Sequence, residues 1–202
     1  MSEFKKGQWS GGFPETVSGG GSTIKNTQDV RKFLPEVIEQ YGIQSMFDAP
    51  CGDRNWIKTL DFEELGCSYQ GGEIVAEIVS DIDMESVSVF DIRSDDPPKV
   101  DLWFCRDCLF HLSESDIRQA IQNMVFDNQN FKYCMITSHI NNETNRNDKR
   151  NKNINTGEFR VLIFEEFDNF GLGEPIEIFY DDYDGPLKRN MLLFDLESIR
   201  EN

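Results

Sequence analysis

The sequence predicts an α/β fold, a mostly parallel sheet with helices on both faces and an antiparallel C-terminal edge. Three observations carry that expectation. Between residues 27 and 138 short apolar runs of strand length alternate with segments of helical spacing, the pattern of strand–helix–strand units joined by crossovers. At 202 residues the chain suits a single domain with a full core. Beyond residue 158 the helical spacing stops and strand-like runs follow one another, which predicts antiparallel pairing at one edge.

The first helix is expected over 27–41, where Val30, Phe33, Leu34, Val37, Ile38 and Tyr41 share a face and Gly42 ends it. "SMFDAP" then gives a first strand. Residues 54–65, with Trp56, Ile57, Leu60 and Leu65, fit a helix stopped by Gly66, with Asp61 and Phe62 as its weak point. "SYQGGEIV", "VSVFDI" and "VDLWFC" supply the second, third and fourth strands. Ser113 reads as an N-cap with Asp116 three residues on, opening a helix whose buried stripe is Ile117, Ala120, Ile121, Met124 and Val125. "KYCMITS" makes a fifth strand. "EFRVLIF", "IEIFYDDY" and "KRNMLLFDL" are strand-like in succession, and the chain has no internal repeat.

Charge excludes several classes of partner. Twenty Lys+Arg stand against 37 Asp+Glu, a net charge of -17, which repels phosphate backbones, so no nucleic acid is expected without a strong local basic patch. The one candidate patch, Arg146, Lys149, Arg150 and Lys152, is interleaved with Glu143 and Asp148 in an asparagine-rich run and reads as a solvated loop. Between Glu165 and Asp184 there are eight acids and no Lys or Arg, so that stretch is expected to face water or an uncharged or cationic ligand. No run of about 18 apolar residues exists, so no membrane span is expected. The N-terminus MSEFKKGQWS lacks an apolar run behind its lysines, which points to a cytoplasmic protein. The five cysteines, at 51, 67, 105, 108 and 134, lie mostly in apolar segments and are expected to be reduced. Cys105 and Cys108 form a C-x-x-C, but no second pair follows at zinc spacing and packing is the expected role. No three acids have metal-ligand spacing, so no metal is expected.

In open sheets of this kind the ligand site lies beyond the carboxyl ends of the strands, near the switch in strand order. That puts "FDAPCGDRNW", residues 47–56, in the site. The turn has one glycine, two flanking acids and no lysine. It therefore lacks the G-x-G-x-x-G of a dinucleotide loop and the G-K-[ST] of a phosphate-binding loop, and Asp48 and Asp53 would repel phosphate. Glu73, at the end of the second strand and 22 residues after Cys51, stands where an acid accepts hydrogen bonds from both ribose hydroxyls, close to the spacing of about 20 seen for that acid in dinucleotide folds. An acid-flanked turn suits a nucleoside with a positive charge and no phosphate, which points to S-adenosylmethionine (SAM).

On these residues the chain resembles a class I SAM-dependent methyltransferase with a Rossmann-like fold, and within that class a small subgroup whose turn reads D-x-P-C-G-D. The resemblance runs from "SGGGSTIKNT" through "FDAPCGDRNW", "YQGGEIV", "CRDCLFHLS" and "ITSH" to "NTGEFR" and "LLFDL". It implies that Asp48, Cys51, Gly52 and Asp53 form the methionine and ribose turn, with Trp56 close by. It implies that Glu73 binds the ribose and Ile74 packs on the adenine, that Asp91 and Ile92 border the adenine ring, and that Arg106 and Asp107 lie beside the transferable methyl. Glu73 stands where the subgroup more usually has aspartate. Similar chains occur beside glycan-building enzymes, in large viruses among others, so the resemblance also implies a sugar O-methyltransferase.

Methyl transfer from a sulfonium is an in-line displacement, in which alignment supplies much of the rate and a base matters when the acceptor is a hydroxyl. The two histidines, His111 and His139, both follow strands, the fourth and the fifth. Either is a candidate base, with Asp107 orienting it or the acceptor. An uncharged acceptor rich in hydroxyls suits a mouth with acids and the stacking faces of Trp103, Tyr180 or Tyr183. Trp9, Phe13 and Trp56 either line the pocket or pack. "SGGGST" is either a flexible linker or part of a mobile arm, residues 1–26, that folds over the cofactor. A methyltransferase of another small metabolite or of protein side chains, and a SAM-binding module without catalysis, remain the alternatives.

Overall fold

A computed structural model describes residues 5–7, 12–82, 84–143, 150–181 and 187–200. The described residues form a seven-stranded sheet, with β1 Ser45–Asp48, β2 Ser68–Glu73, β3 Val87–Val89, β4 Leu102–Cys105, β5 Tyr133–His139, β6 Glu177–Asp181 and β7 Arg189–Asp195. Their order is β3-β2-β1-β4-β5-β7-β6. β1 to β5 run parallel, and β7 and β6 continue the sheet antiparallel. The fold is thus the expected one. The order reverses between β1 and β4, and the loops leaving their carboxyl ends part there to open a crevice.

Alternation along the strands builds two cores, because successive side chains point to opposite faces. On one face Phe47, Trp103, Cys105, Cys134, Ile136, Leu192 and Phe194 pack together with Ile117, Ala120, Ile121, Met124 and Val125. The last five belong to α3, Glu114–Ile121, and to the π-helical turn Gln122–Asp127 that continues it. The Ser113 hydroxyl accepts from the Asp116 backbone N–H, the cap that the spacing predicts. On the other face Met46, Leu102, Phe104, Met135, Met191 and Leu193 pack with Val30, Phe33, Leu34, Val37 and Ile38 of α1, Gln28–Gln40. Gly42, at φ 60°, ends that segment as predicted. Two short helices complete the fold, α2 Ala76–Ser80 and α4 Leu196–Arg200.

Two expectations fail. Residues 54–65 make no α-helix: Arg54 has φ 58°, a 3-10 turn covers only Ile57–Thr59, and Leu60 is extended. The Asp61 carboxylate accepts from the N–H groups of Glu63 and Glu64, a local bond that competes with helix. "EFRVLIF" makes no strand either. Val161 to Phe164 are buried, but their backbone groups bond to side chains and loops: Leu162 N–H to His139 Nδ1, Ile163 N–H to Asn151, Phe164 N–H to the Ser138 hydroxyl. An isolated bridge between Arg150 and Val161 is the ladder pairing it makes. Among the described residues no helix is long and apolar enough to cross a membrane.

Candidate functional site

At the crevice lies a cavity of about 420 Å³, within the usual range for small ligands. Its lining comes from Lys5, the segment Val17–Ser22, the turn after β1, the end of β2 with Ile78 of α2, the residues after β3, the loop after β4, the end of β5, Phe159 and the start of β7. Of the residues expected in the site, Asp48, Cys51, Gly52, Trp56, Glu73, Ile74, Asp91, Ile92, Arg106, Asp107, His111 and His139 all line it.

Asp53 does not. Its carboxylate is taken by the Thr16 hydroxyl at 3.1 Å and the Val17 N–H at 2.7 Å, and its own N–H donates to the Ser18 hydroxyl at 2.8 Å. Asp53 therefore ties the segment 16–18 to the turn. Gly52, at φ 57°, packs against Ser18 so closely that a Cβ there would collide with the hydroxyl.

One half of the cavity, at the carboxyl ends of β1 and β2, carries two buried acids. Glu73 is 6 % exposed; one carboxylate oxygen accepts from Val75 N–H at 2.9 Å and the other from Gly52 N–H at 3.1 Å. Each oxygen keeps further lone-pair capacity toward the cavity. Burial raises the Glu73 pKa against the pull of these backbone donors. Asp48 is buried and accepts the Tyr69 phenol hydrogen at 2.8 Å. Burial pushes its pKa from 3.8 up to about 7, with Tyr69 and Arg54 opposing the rise. Burial likewise raises the Cys51 thiol, leaving it an inert apolar wall. Asp91 lines the cavity but its carboxylate is engaged by the Arg93 guanidinium at 2.7 and 2.9 Å. Ile74, Ile78, Phe90 and Ile92 give this end its apolar surface.

The other half is a buried ionic network that sequence reading found in part. Arg106 donates through Nε to Asp181 at 2.9 Å, through Nη1 to the Gly21 carbonyl at 2.9 Å, and through Nη2 to the Asn26 carbonyl at 3.2 Å. Its guanidinium therefore anchors the segment before α1, a commitment the sequence did not foretell. Arg189 reaches Asp181 through Nε at 3.1 Å and Asp107 through Nη1 at 2.8 Å. Asp107 holds φ 55°, with its N–H donated to the Thr137 hydroxyl at 2.9 Å. Burial alone would raise the Asp107 pKa, but Arg106 and Arg189 carry it below its ordinary value. One oxygen of Asp107 meets both arginines. The other, Oδ1, is buried with no hydrogen-bond partner among the described residues.

Sequence reading missed Asp181 and Arg189. Asp181 belongs to the acid-rich stretch expected to face solvent or a ligand, yet it is fully buried and its cations are the protein's own. The signal available was strand parity: Asp181 and Arg189 are register partners across the β6–β7 pair.

Both histidine rings line the cavity beside Phe110, at centroid distances of 4.6 Å for His111 and 5.1 Å for His139, and Phe159 touches both. His111 Nδ1 lies 2.9 Å from the Glu158 carbonyl, and His139 Nδ1 accepts from Leu162 N–H at 3.2 Å. Burial lowers the pKa of both, that of His139 to about 4. Trp103 is fully buried away from the cavity, its indole N–H donated to the Ala49 carbonyl. Phe13 and Tyr180 are among the more exposed large side chains, and neither is in the lining. Cys105 is buried in the core and Cys108 lines the cavity. In the asparagine-rich run Arg150 pairs with Glu166. Arg146, Lys149, Trp9 and Tyr183 lie outside the described residues. No group of three or more His, Cys, Asp or Glu among the described residues could hold a metal ion.

No protein-family model matches the chain, and no curated protein matches it in sequence. Solved structures do. Over 87 % of this chain and 81 % of the other, it superimposes on the 1,6-didemethyltoxoflavin-N1-methyltransferase of Burkholderia thailandensis, with TM-score 0.61 and 13 % identity. The magnesium protoporphyrin IX methyltransferase of Synechocystis matches over 84 % of this chain and 83 % of its own, with TM-score 0.57 and 10 % identity. Human N-acetylserotonin methyltransferase matches over 89 % of this chain, with TM-score 0.54 and 12 % identity, and the chain spans 59 % of that enzyme's length. These likenesses show the fold, a Rossmann-like methyltransferase sheet with an antiparallel edge.

Proposed function

We propose that the chain is a SAM-dependent methyltransferase acting on a small hydroxylated acceptor, a sugar or glycoside by preference. The observation that carries the reading is the pair of buried acids, Asp48 and Glu73, at the carboxyl ends of adjacent parallel strands, lining a cavity whose turn after β1 has one glycine and no lysine. A dinucleotide or a nucleoside triphosphate would meet carboxylates where it needs amides and cations. A cationic nucleoside meets what it needs: Glu73 for the ribose hydroxyls, an apolar slot of Ile74, Ile78, Phe90 and Ile92 for the base, and no crowd of phosphate-seeking cations at the turn after β1. The structural neighbours agree: each of the three described above holds SAM or S-adenosylhomocysteine. Their names point to small-molecule acceptors of differing chemistry, and the preference for a sugar rests on the sequence resemblance and on the acid, imidazole and aromatic lining of the inner half of the cavity.

When bound, the cofactor supplies an electrophilic methyl on a positively charged sulfur. The chain's own residues do the rest. The segment Val17–Ser22, pinned by Asp53 and Arg106, walls one side and narrows access of water, which favours the acceptor as nucleophile. Asp107, His111 and His139 form the inner wall where an acceptor would sit; the Arg106–Asp181–Arg189 network holds Asp107, and the Glu158 carbonyl and Leu162 N–H hold the two rings.

Calorimetric titration with SAM and with S-adenosylhomocysteine tests this. Micromolar binding of both is expected, with Glu73→Ala weakening each by roughly 100-fold, about the loss of two charge-assisted hydrogen bonds. Absence of binding by either nucleoside sinks the methyltransferase reading.

A further inference from the structure

The stretch 54–65, which does not form a helix, builds a second cavity, an open groove of about 460 Å³. Tyr69 lines it, and the hydroxyl of the same side chain donates to Asp48 in the first cavity, so the two sites lie one side chain apart. Two cations belong to the groove. Arg54 holds φ 58°, an unfavourable conformation for a residue with a side chain and one that clusters at functional positions. Its guanidinium carbon lies 4.9 Å from the Tyr69 ring centroid. Lys58 N–H donates to the Arg54 carbonyl at 3.3 Å, and the turn so closed brings Lys58 to the same groove.

Among the described residues neither the Arg54 guanidinium nor the Lys58 ammonium has a hydrogen-bond or ion-pair partner. Arg54 Nε is sealed from solvent; the Nη nitrogens are not. Acids outnumber bases 37 to 20 in this chain, and Arg93, Arg106, Arg118, Lys132, Arg150 and Arg189 all hold carboxylates. Two neighbouring cations without one are therefore a local exception. The acid in the groove, Asp61, commits Oδ1 to the N–H groups of Glu63 and Glu64, and its single charge leaves one positive charge in excess. Beside the cations lies an apolar bed of the half-buried side chains of Leu60, Phe62 and Met84, with the Phe62 ring 5.0 Å from that of Tyr69.

We propose that this groove binds a small amphipathic monocarboxylate, its carboxylate bridging the Arg54 Nη groups and the Lys58 ammonium and its aryl or branched alkyl body lying on Leu60, Phe62 and Met84. A carboxylate matches the paired donors of a guanidinium. A phosphate dianion fits less well, because Asp61 and the net charge of -17 oppose a second negative charge. An uncharged apolar molecule leaves both cations without a counter-charge. Arg54 is also one of the charges that help Asp48 ionise, so a carboxylate seated on Arg54 acts on the first cavity as well.

The test uses the full chain without SAM, so its outcome does not depend on the methyltransferase reading. ¹H–¹⁵N correlation spectra are recorded during titration with phenylacetate and, in parallel, with its uncharged counterpart 2-phenylethanol and with inorganic phosphate. Phenylacetate should shift the amides of residues 54–62, Tyr69 and Met84, with Kd about 1 mM. The alcohol and phosphate should each bind about tenfold more weakly or worse. Arg54→Gln and Lys58→Gln should each weaken phenylacetate about tenfold, and Arg54→Lys, which keeps the charge and loses the fork, should weaken it less than Arg54→Gln. Lys58 is exposed, so Lys58→Gln leaves the fold intact and decides the case if the Arg54 variants disturb the turn. No response to phenylacetate, shifts confined to the lining of the first cavity, the alcohol or phosphate binding as tightly as phenylacetate, or unaltered affinity in Lys58→Gln overturns the proposal.

Discussion

At the scale of single residues the site is built on acids that the fold forces into unusual states. Asp48 is held protonated to about pH 7 because its surroundings give it one phenol hydrogen bond in place of water. Since the folded chain keeps that proton over a wider range than the unfolded chain, this group's contribution to stability is full below pH 4 and is lost as pH rises from about 4 to about 7. Asp48→Asn removes the titration, so its stability relative to the parent should rise by about 2–3 kcal/mol between pH 5 and pH 8 in urea unfolding. A constant difference would mean that Asp48 is ionised throughout. Asp107 behaves in the opposite sense, since two arginines keep it charged. Neither state is legible in the sequence: "FDAPCGD" and "CRDC" show carboxylates beside turns, and only the packing decides which one loses its water and which one gains cations.

Among the elements, the segment before α1 is the one whose role the sequence left open. "SGGGST" has the composition of a linker, yet it is stitched to the site by Arg106, by Asp53 and by Asn55, whose side-chain amide donates to the Ser22 carbonyl at 3.0 Å. Gly21 lies so close to Asp107 that a Cβ would overlap its carboxylate. Gly21→Ala should therefore lift the segment: amide exchange over residues 17–23 should quicken and SAM affinity should fall, each by about tenfold, the equivalent of about 1.4 kcal/mol of overpacking. Unchanged exchange would show that the segment is not docked in solution. The stretches 54–65 and 158–164 carry the complementary lesson. Their apolar spacing was read correctly as burial, but burial does not specify a helix or a strand when aspartate, serine and histidine side chains compete for the backbone N–H groups.

The whole molecule carries a net charge of -17, and that field acts on every ligand. SAM bears one net positive charge at neutral pH and its demethylated product none. Raising NaCl from about 20 to about 200 mM should weaken SAM binding several-fold while leaving S-adenosylhomocysteine nearly unaffected, because the Debye length shrinks from roughly 20 Å to under 10 Å. Equal salt responses would place the attraction in the cavity's own contacts. The sequence by itself determined the parallel sheet with its antiparallel edge, the two helices α1 and α3, and the turn after β1 that lines the cavity, since these follow from hydrophobic periodicity and from the residue types a backbone turn permits. Tertiary structure alone decided which oxygen of Asp107 is left without a partner among the described residues, which backbone groups meet the two histidine rings, and that Asp53, Arg106 and Asp181 serve the frame. Those outcomes depend on partners distant in the chain, Arg189 for Asp107, Glu158 and Leu162 for the two rings, Thr16 for Asp53, and no local pattern carries the position of a distant donor.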